Sequence, residues 1–181
     1  MFQVNDTVLY GGQSVCTIIE ISRQKVGKDY RMYYILKPVF DNKSTVYIPC
    51  ENETLVSKMK PLMTLSEVRE LIETLHKQSL DWVENDILRK EQYSEILYCG
   101  DRKKIASLIR TLYLHKEKQK QTGKKFHITD EQLFERAQKL LHEEIAFLLN
   151  IHPNDVPDFI EAQLQSDNIN YCTKYFSKIS G

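Results

Sequence analysis

The feature that most constrains this sequence is a change of hydrophobic period near residue 62. Up to about residue 60, apolar residues alternate with polar ones between Gly and Asn or Asp turns, a pattern typical of half-buried antiparallel strands. From Thr64 onward, apolar residues recur every three or four positions, as in amphipathic helices. We therefore predict an α+β protein: a small curled β-barrel over residues 1–60, an all-α bundle of four to five helices over residues 64–164, and a loose tail over residues 165–181.

Turn and cap residues delimit the individual elements. Four strands are predicted near residues 6–10, 14–22, 30–37 and 44–48. Thr64 and Glu67 have the spacing of a capping box before the first helix. The later helices are predicted over residues 80–98 ending at Gly100, after Asp101, after Thr129, and over residues 156–164.

Charge is balanced overall but unevenly distributed. The 181 residues contain 25 Lys and Arg and 25 Asp and Glu, which excludes binding to nucleic acid or anionic membranes through bulk positive charge. Residues 100–126, however, hold nine basic side chains against two acidic ones. Neither a secretory signal nor an apolar run of bilayer length, about 18 to 20 residues, is present, so we expect a cytoplasmic protein without a membrane partner.

Motifs for catalysis are weak. The sequence lacks the phosphate-binding glycine motifs and the serine-nucleophile motif, so we expect a protein that is not an enzyme and uses no cofactor, metal or small-molecule substrate. His142-Glu143-Glu144 lacks a second histidine four residues on, and we interpret it as a solvated helical face. A metal hydrolase using His115 and His142 remains the enzymatic alternative.

The sequence indicates a binding surface more strongly than an active site. On the predicted helix 80–98, Leu80, Val83 and Ile87 share one side, whereas Trp82 and Arg89 lie about 180° away. An exposed tryptophan beside an arginine is suited to stacking on a base or wedging into an opening duplex. The alternative, to which we give equal weight, is a helix buried on both sides.

The third predicted helix supplies a possible phosphate-binding stripe. Lys103 and Arg110 are seven residues apart and lie opposite the apolar stripe of that helix. Positive side chains at this spacing are suited to contacting phosphates, although a run of charges is more often ordinary solvated surface.

Together, these segments resemble the CarD family of bacterial transcription regulators, also called CdnL-like. The matching segments are residues 2–10 (FQVNDTVLY), residues 33–37 (YYILK), residues 45–49 (TVYIP) with Glu51-Asn52, and Gly100-Asp101 followed by residues 104–106 (KIA) and 108–110 (LIR). The resemblance extends from residue 1 to about residue 150.

The resemblance implies a Tudor-like, SH3-like barrel that docks on the β subunit of RNA polymerase by adding a strand edge. It also implies a helical domain that contacts promoter DNA without sequence specificity at the fork junction, where the bubble begins upstream. In that family a tryptophan acts as a wedge that stabilises the open complex. The residues expected to contact polymerase are Arg23, Lys25 and Tyr47, and those expected to contact DNA are Trp82, Arg89, Lys103 and Arg110.

A rival hypothesis retains only the docking on RNA polymerase. In that hypothesis the chain is an adaptor on polymerase whose helical domain binds another protein. Glu84 and Asp86 follow Trp82, where the family places basic residues, and carboxylates repel phosphates.

Overall fold

A computed structural model describes residues 2–11, 14–41 and 43–166 of the chain. They form two compact units, divided between Leu62 and Met63. The predicted loose tail lies outside the described residues, except that residues 165 and 166 belong to the last helix. No helix in the described ranges is long and apolar enough to cross a membrane.

The first unit is a five-stranded antiparallel sheet. Its strands are β1 (Thr7–Tyr10), β2 (Ser14–Val26), β3 (Asp29–Pro38), β4 (Val46–Pro49) and β5 (Met59–Pro61), and a short helix, α1 (Glu53–Val56), precedes β5. The strand order is β4-β3-β2-β1-β5, so β4 and β5 are separate edges. The predicted closed barrel is therefore wrong. The two outer strands contain only four and three residues, which leaves too little edge to close the sheet.

Side chains from one face of this sheet form its core. The core residues are Val8, Tyr10, Cys16, Ile18, Tyr34, Leu36, Ile48 and Met59. The β2–β3 hairpin is longer than predicted, and Gly27 at its turn has a φ of 66°, a conformation that favours glycine. β4 pairs only with residues 33–36 of β3. The part of the hairpin nearer its turn, where residues 23–26 of β2 pair with residues 29–32 of β3, is therefore a two-stranded arm.

The second unit is helical. It contains α2 (Leu65–Lys77), α3 (Asp86–Cys99), α4 (Arg102–Gln121), α5 (Ile128–Leu149) and α6 (Val156–Ser166), with a 3-10 turn (Pro153–Asp155) before α6. The five α-helices of this unit lie within the predicted four to five, and the sixth α-helix of the described residues, α1, is an unpredicted element of the first unit. The core of the second unit includes Leu71, Leu97, Leu108, Leu112, Leu141, Ile145 and Ile160.

Three predicted helix caps are confirmed. The Thr64 backbone N–H donates to Glu67 Oε2 at 2.6 Å, and the Glu67 N–H donates to Thr64 Oγ1 at 3.3 Å, which completes the capping box. Gly100 ends α3 in a left-handed conformation with a φ of 65°. Asp101 Oδ1 then accepts from the Lys104 N–H at 3.1 Å and begins α4.

Two helix starts are wrong in the prediction. The helix predicted over residues 80–98 begins only at Asp86, because Asn85 caps it by accepting from the Leu88 N–H at 3.0 Å. Ile87, expected in the core, is 81% exposed. The fourth predicted helix begins at Ile128 with His127 as its cap, before the expected Thr129.

The interpretation of His142-Glu143-Glu144 as a solvated face is also wrong, since all three side chains are buried. Burial lowers the pKa of His142 to about 4, so its imidazole is neutral at pH 7. Glu144 is fully buried and accepts from the Met63 backbone N–H at 2.8 Å. It also accepts from Arg102 Nε at 2.8 Å and Arg102 Nη2 at 2.6 Å, so it joins the start of the unit to α4.

Replacing this carboxylate is expected to destabilise the second unit. Glu144→Ala removes the acceptor of the Met63 N–H and of two Arg102 donors, and we expect a loss of roughly 2 to 4 kcal/mol in the free energy of unfolding. Urea unfolding followed by helical circular dichroism measures it. Glu73→Ala removes an exposed partner of Lys77, and as the control it should cost less than about 1 kcal/mol. Equal losses in the two variants would contradict the role of Glu144.

Candidate functional site

The candidate site in the second unit is built around an extended segment, residues 78–85, between α2 and α3. This segment carries the only tryptophan of the chain, Trp82. The Leu80 N–H donates to Thr111 Oγ1 on α4 at 2.7 Å, and Tyr93 on α3 donates its hydroxyl to the Asp81 carbonyl at 3.2 Å. The two residues that precede Trp82 are therefore fixed to α4 and α3.

Arg89 holds the remainder of the segment. Its Nε and Nη2 donate to the two carboxylate oxygens of Asp130 on α5, each at 2.9 Å. Nη2 also donates to Asp86 Oδ1 at 2.7 Å, and Nη1 donates to the carbonyls of Val83 at 2.7 Å and Glu84 at 3.3 Å. These five bonds equal the five donors of a guanidinium. The prediction that Arg89 faces outward is wrong, because its side chain is only 4% exposed and has no donor left for a phosphate.

The Arg89–Asp130 pair is buried on both sides, since the Asp130 side chain is also 4% exposed. Burial alone lowers the pKa of Arg89, but the bonds to Asp130 and Asp86 outweigh it and raise the pKa above its ordinary value. Arg89 therefore stays charged. A bidentate pair of this kind fixes both angle and distance, so α3, α5 and the carbonyls after Trp82 are held in one arrangement.

The Trp82 indole lies between these groups and the helices. The His115 ring of α4 stacks on it in parallel, with 3.5 Å between ring centroids and 4° between planes. The Arg89 guanidinium carbon lies 4.4 Å from the indole centroid, and the Tyr93 ring meets it edge-on at 6.4 Å. Trp82 is half-buried against the core. Its indole is therefore neither turned fully outward, as predicted, nor fully buried, as in the alternative.

The free part of the indole borders a cleft of about 270 Å³. The cleft is lined by Trp82, Glu84, Asp86, Arg89, His115, Gln119, Lys125, His127 and Asp130. We call it the Trp82 cleft. Its acidic and basic groups are interleaved, and Arg89 already neutralises two of its carboxylates.

Lys103 and Arg110 lie elsewhere on α4. Twelve residues separate Lys103 from His115, which corresponds to about 18 Å along the helix and a rotation of about 120°. Arg110 is rotated from His115 by about 140° on the same reckoning. Lys103 is exposed, and its Nζ lies 3.4 Å from Glu70 Oε2. The structure thus places the predicted phosphate-binding stripe on a different side of α4 from Trp82.

Other cations lie nearer the indole. Lys118, Lys120, Lys124 and Lys125 are exposed at the end of α4 and in the following loop, and they make no ion pair within the described ranges. Lys125 lines the Trp82 cleft itself. The charge pattern of residues 100–126 indicates this group as an extension of the positive field, although it was not among the residues predicted to contact DNA.

The predicted polymerase contacts divide between two faces of the sheet. Arg23 is paired with Met32 and Lys25 with Tyr30, so both basic residues share the face of the even-numbered positions of β3. Tyr47 is paired with Ile35 and lies on the opposite face, where its ring meets that of Tyr33 at 6.5 Å. All three predicted residues are exposed, but they do not converge on one face.

The backbone of β4 faces outward at Tyr47. The Cys50 N–H donates to the Met32 carbonyl at 2.9 Å, which makes this pair hydrogen-bonded. Because hydrogen-bonded and non-hydrogen-bonded pairs alternate in an antiparallel ladder, Ile48 and Val46 bond to β3, whereas Tyr47 directs its N–H and carbonyl away from it. β4 therefore presents these two groups of Tyr47 at the edge of the sheet.

Sequence reasoning missed the partners of Trp82. His115 lies inside α4, and its stacking on a residue 33 positions earlier has no local signal. Asp130 lies in the first turn of α5, where a carboxylate is expected for the helix dipole alone. The one available signal was Asn85 before Asp86. Asparagine is a favoured helix cap, so it indicates that the helix begins at Asp86, after Trp82.

The two histidines of the metal-hydrolase alternative are not brought together. His115 and Asp130 line the same cleft, whereas His142 is twelve residues beyond Asp130, about 18 Å along α5. Among the described residues, no group of three or more His, Cys, Asp and Glu side chains is arranged to hold a metal ion.

The two carboxylates bound to Arg89 give a matched test of this frame. Asp130→Asn removes the buried charge opposite the guanidinium, and we expect a loss of roughly 2 to 4 kcal/mol in the free energy of unfolding. Asp86 is 66% exposed, so Asp86→Asn should cost less than about 1 kcal/mol. Urea unfolding of both variants measures the difference, and a larger loss for Asp86→Asn would show that the buried pair is not the main support.

Comparison with known protein families agrees with this architecture. The model of the CarD-like/TRCF RID domain matches residues 2–60, and the model of the CarD C-terminal domain matches residues 70–161. A search of curated proteins found no match. The resemblance seen in the sequence motifs is confirmed, and the chain belongs to the CarD-like family of RNA-polymerase-interacting transcription factors.

Proposed function

We propose that this protein binds the β subunit of RNA polymerase through its first unit and stabilises the open promoter complex through its second. Trp82 contacts the separated strands at the upstream edge of the bubble without reading sequence. The action is binding alone, with no reaction catalysed and no cofactor or small-molecule substrate. A ligand that binds the open state more tightly than the closed one shifts the equilibrium between them by that difference in affinity.

The observation that carries the proposal is the fixed position of Trp82. A half-buried indole borders an open cleft, and hydrogen bonds hold the backbone on both sides of it. Holding a contact residue in place before binding lowers the entropy lost on binding. An aromatic plane in this position is suited to an unpaired base, since stacking does not depend on base identity.

Lys103 and Arg110 are proposed to contact phosphates. They share one stripe of α4, and such contacts need a positive side chain but no base recognition. Arg89 is left out of the contact set, because its five donors are used within the unit. Its proposed role is to position Trp82.

Docking on polymerase is proposed to use the outward groups of β4. An incoming strand would pair with the N–H and carbonyl of Tyr47, which makes β4 internal to a larger sheet. Arg23 and Lys25 lie on the other face, on the β2–β3 arm. A partner that contacts all three must therefore reach around the edge of the sheet.

A proline at position 47 tests strand addition directly. Tyr47→Pro removes the outward N–H without removing a bond between β4 and β3, and proline is tolerated on an edge strand. We expect capture of the polymerase β lobe to weaken about 2- to 10-fold, the value of one hydrogen bond. Tyr47→Ala keeps the N–H and serves as the control. If docking used side chains alone, capture of the β lobe would instead weaken equally in both variants.

The role of Trp82 is tested on the promoter. Trp82→Ala should shorten the lifetime of the open complex, since a base loses a stacking contact of about 1 to 3 kcal/mol. Capture on polymerase should be unchanged. Tyr98→Ala, which removes an exposed aromatic residue of α3, is the control. An unchanged lifetime for Trp82→Ala, with polymerase still bound, would contradict the DNA contact.

A second candidate is the polymerase-bound adaptor whose helical unit binds a protein. It is favoured by Glu84 and Asp86 in the Trp82 cleft and by the His115 ring, which already covers indole surface. Salt dependence separates the two. If phosphates are bound, affinity falls steeply with ionic strength and fork-junction DNA is preferred over duplex, whereas an adaptor shows a shallower slope and no such preference.

A further inference from the structure

The stack of His115 on Trp82 has a geometry that a nucleobase would also adopt. A centroid separation of 3.5 Å and an angle of 4° describe two flat rings in full parallel contact. Side-chain aromatic pairs more often adopt offset or edge-to-face arrangements, as the Trp82–Tyr93 pair does at 70°. The imidazole thus occupies indole surface on which another planar group could stack.

We propose that His115 is a displaceable cap on Trp82: its imidazole covers the indole in the free protein and yields that surface to a flat group of the bound partner. His115 then controls access to the indole. The inference rests on the proposed function only for the identity of the flat group, which is an unpaired base if DNA is the partner.

Three features support a displaceable cap. His115 is half-buried rather than sealed in the core, and it borders the open Trp82 cleft. In the described part of the chain its side chain makes one polar contact, Gln119 Nε2 to His115 Nε2 at 2.9 Å, and its ring lies tilted beside that of Phe126 at 6.4 Å. Trp82, by contrast, is flanked by backbone bonds to Thr111, Tyr93 and Arg89. The imidazole can therefore leave while the indole stays in place.

The contact with Gln119 requires an unprotonated ring nitrogen, because an amide nitrogen donates and does not accept. Burial lowers the pKa of His115. Asp130 on α5 and Glu84 on the extended segment oppose this shift, whereas Arg89 on α3 and Lys118 on α4 add to it. Asp86, Lys125 and His127 also line the cleft. The capped state thus holds the neutral imidazole.

The stability of the capped state decreases at low pH. A displaced His115 in water titrates near the ordinary pKa of about 6.5, and the capped one titrates lower. The uncapped state therefore binds protons more tightly. The cap keeps its full stability above about pH 6.5 and loses stability as the pH falls from there towards the lowered value.

The single tryptophan makes the cap directly measurable in the 181-residue chain. Between pH 7.5 and pH 5.5, we expect the wild-type emission maximum to move to longer wavelength and acrylamide quenching to increase, because the indole loses its cover. His115→Ala should show the uncapped values at both pH values. His115→Phe keeps a flat ring that cannot be protonated, so it should show the capped values at both.

His127→Asn is the matched control. It removes the other histidine of the cleft and keeps a side chain able to cap α5, so its pH profile should equal that of the wild type. A wild-type profile that persists in His115→Phe, or an indole equally accessible in wild type and His115→Ala, would overturn the proposal.

Binding of fork-junction DNA to the polymerase-bound protein tests displacement. If a base must remove the imidazole, His115→Ala should bind about 2- to 10-fold more tightly than wild type at pH 7.5, the value of one aromatic contact. Affinity equal to or below that of the wild type would overturn displacement. If fluorescence shows the cap but neither protein binds DNA, the cap stands and the DNA half of the proposed function fails.

Discussion

The position of Trp82 depends on one buried ion pair, the bidentate contact between Arg89 on α3 and Asp130 on α5. Two buried charges are costly unless every donor and acceptor is satisfied. Here the remaining Arg89 donors bind Asp86 and the carbonyls of Val83 and Glu84. Because those carbonyls follow Trp82 in the chain, the pair that joins two helices also sets the position of the indole.

This arrangement links the fold to the proposed mechanism. A wedge that does no chemistry acts only through its difference in affinity for open and closed DNA, so its effectiveness depends on being held in place. The extended segment from residue 78 to residue 85 has no internal helical bonds to hold it. Thr111, Tyr93 and Arg89 provide that support from three positions on two helices. The cap formed by His115 adds a second level of control, over access to the indole rather than its position.

The local features of this fold were predictable from sequence, whereas the tertiary partners were not. The capping box at Thr64, the left-handed Gly100 and the cap at Asp101 depend on residues within four positions of each other, so the sequence indicates them directly. Trp82 was predicted on a helix because Leu80, Val83 and Ile87 have helical spacing. Tertiary bonds to Thr111 and Arg89 override that spacing. The open sheet was missed because β5, with three residues, carries almost no periodic signal.

The most direct test of the account is to place a photoreactive side chain at position 82 and irradiate the complete assembly of this protein, polymerase and promoter. If Trp82 contacts the separated strands, residue 82 crosslinks to promoter DNA at the upstream edge of the bubble in open complexes and not in closed ones. A crosslink from residue 82 to protein alone, with the complex fully assembled, would contradict it.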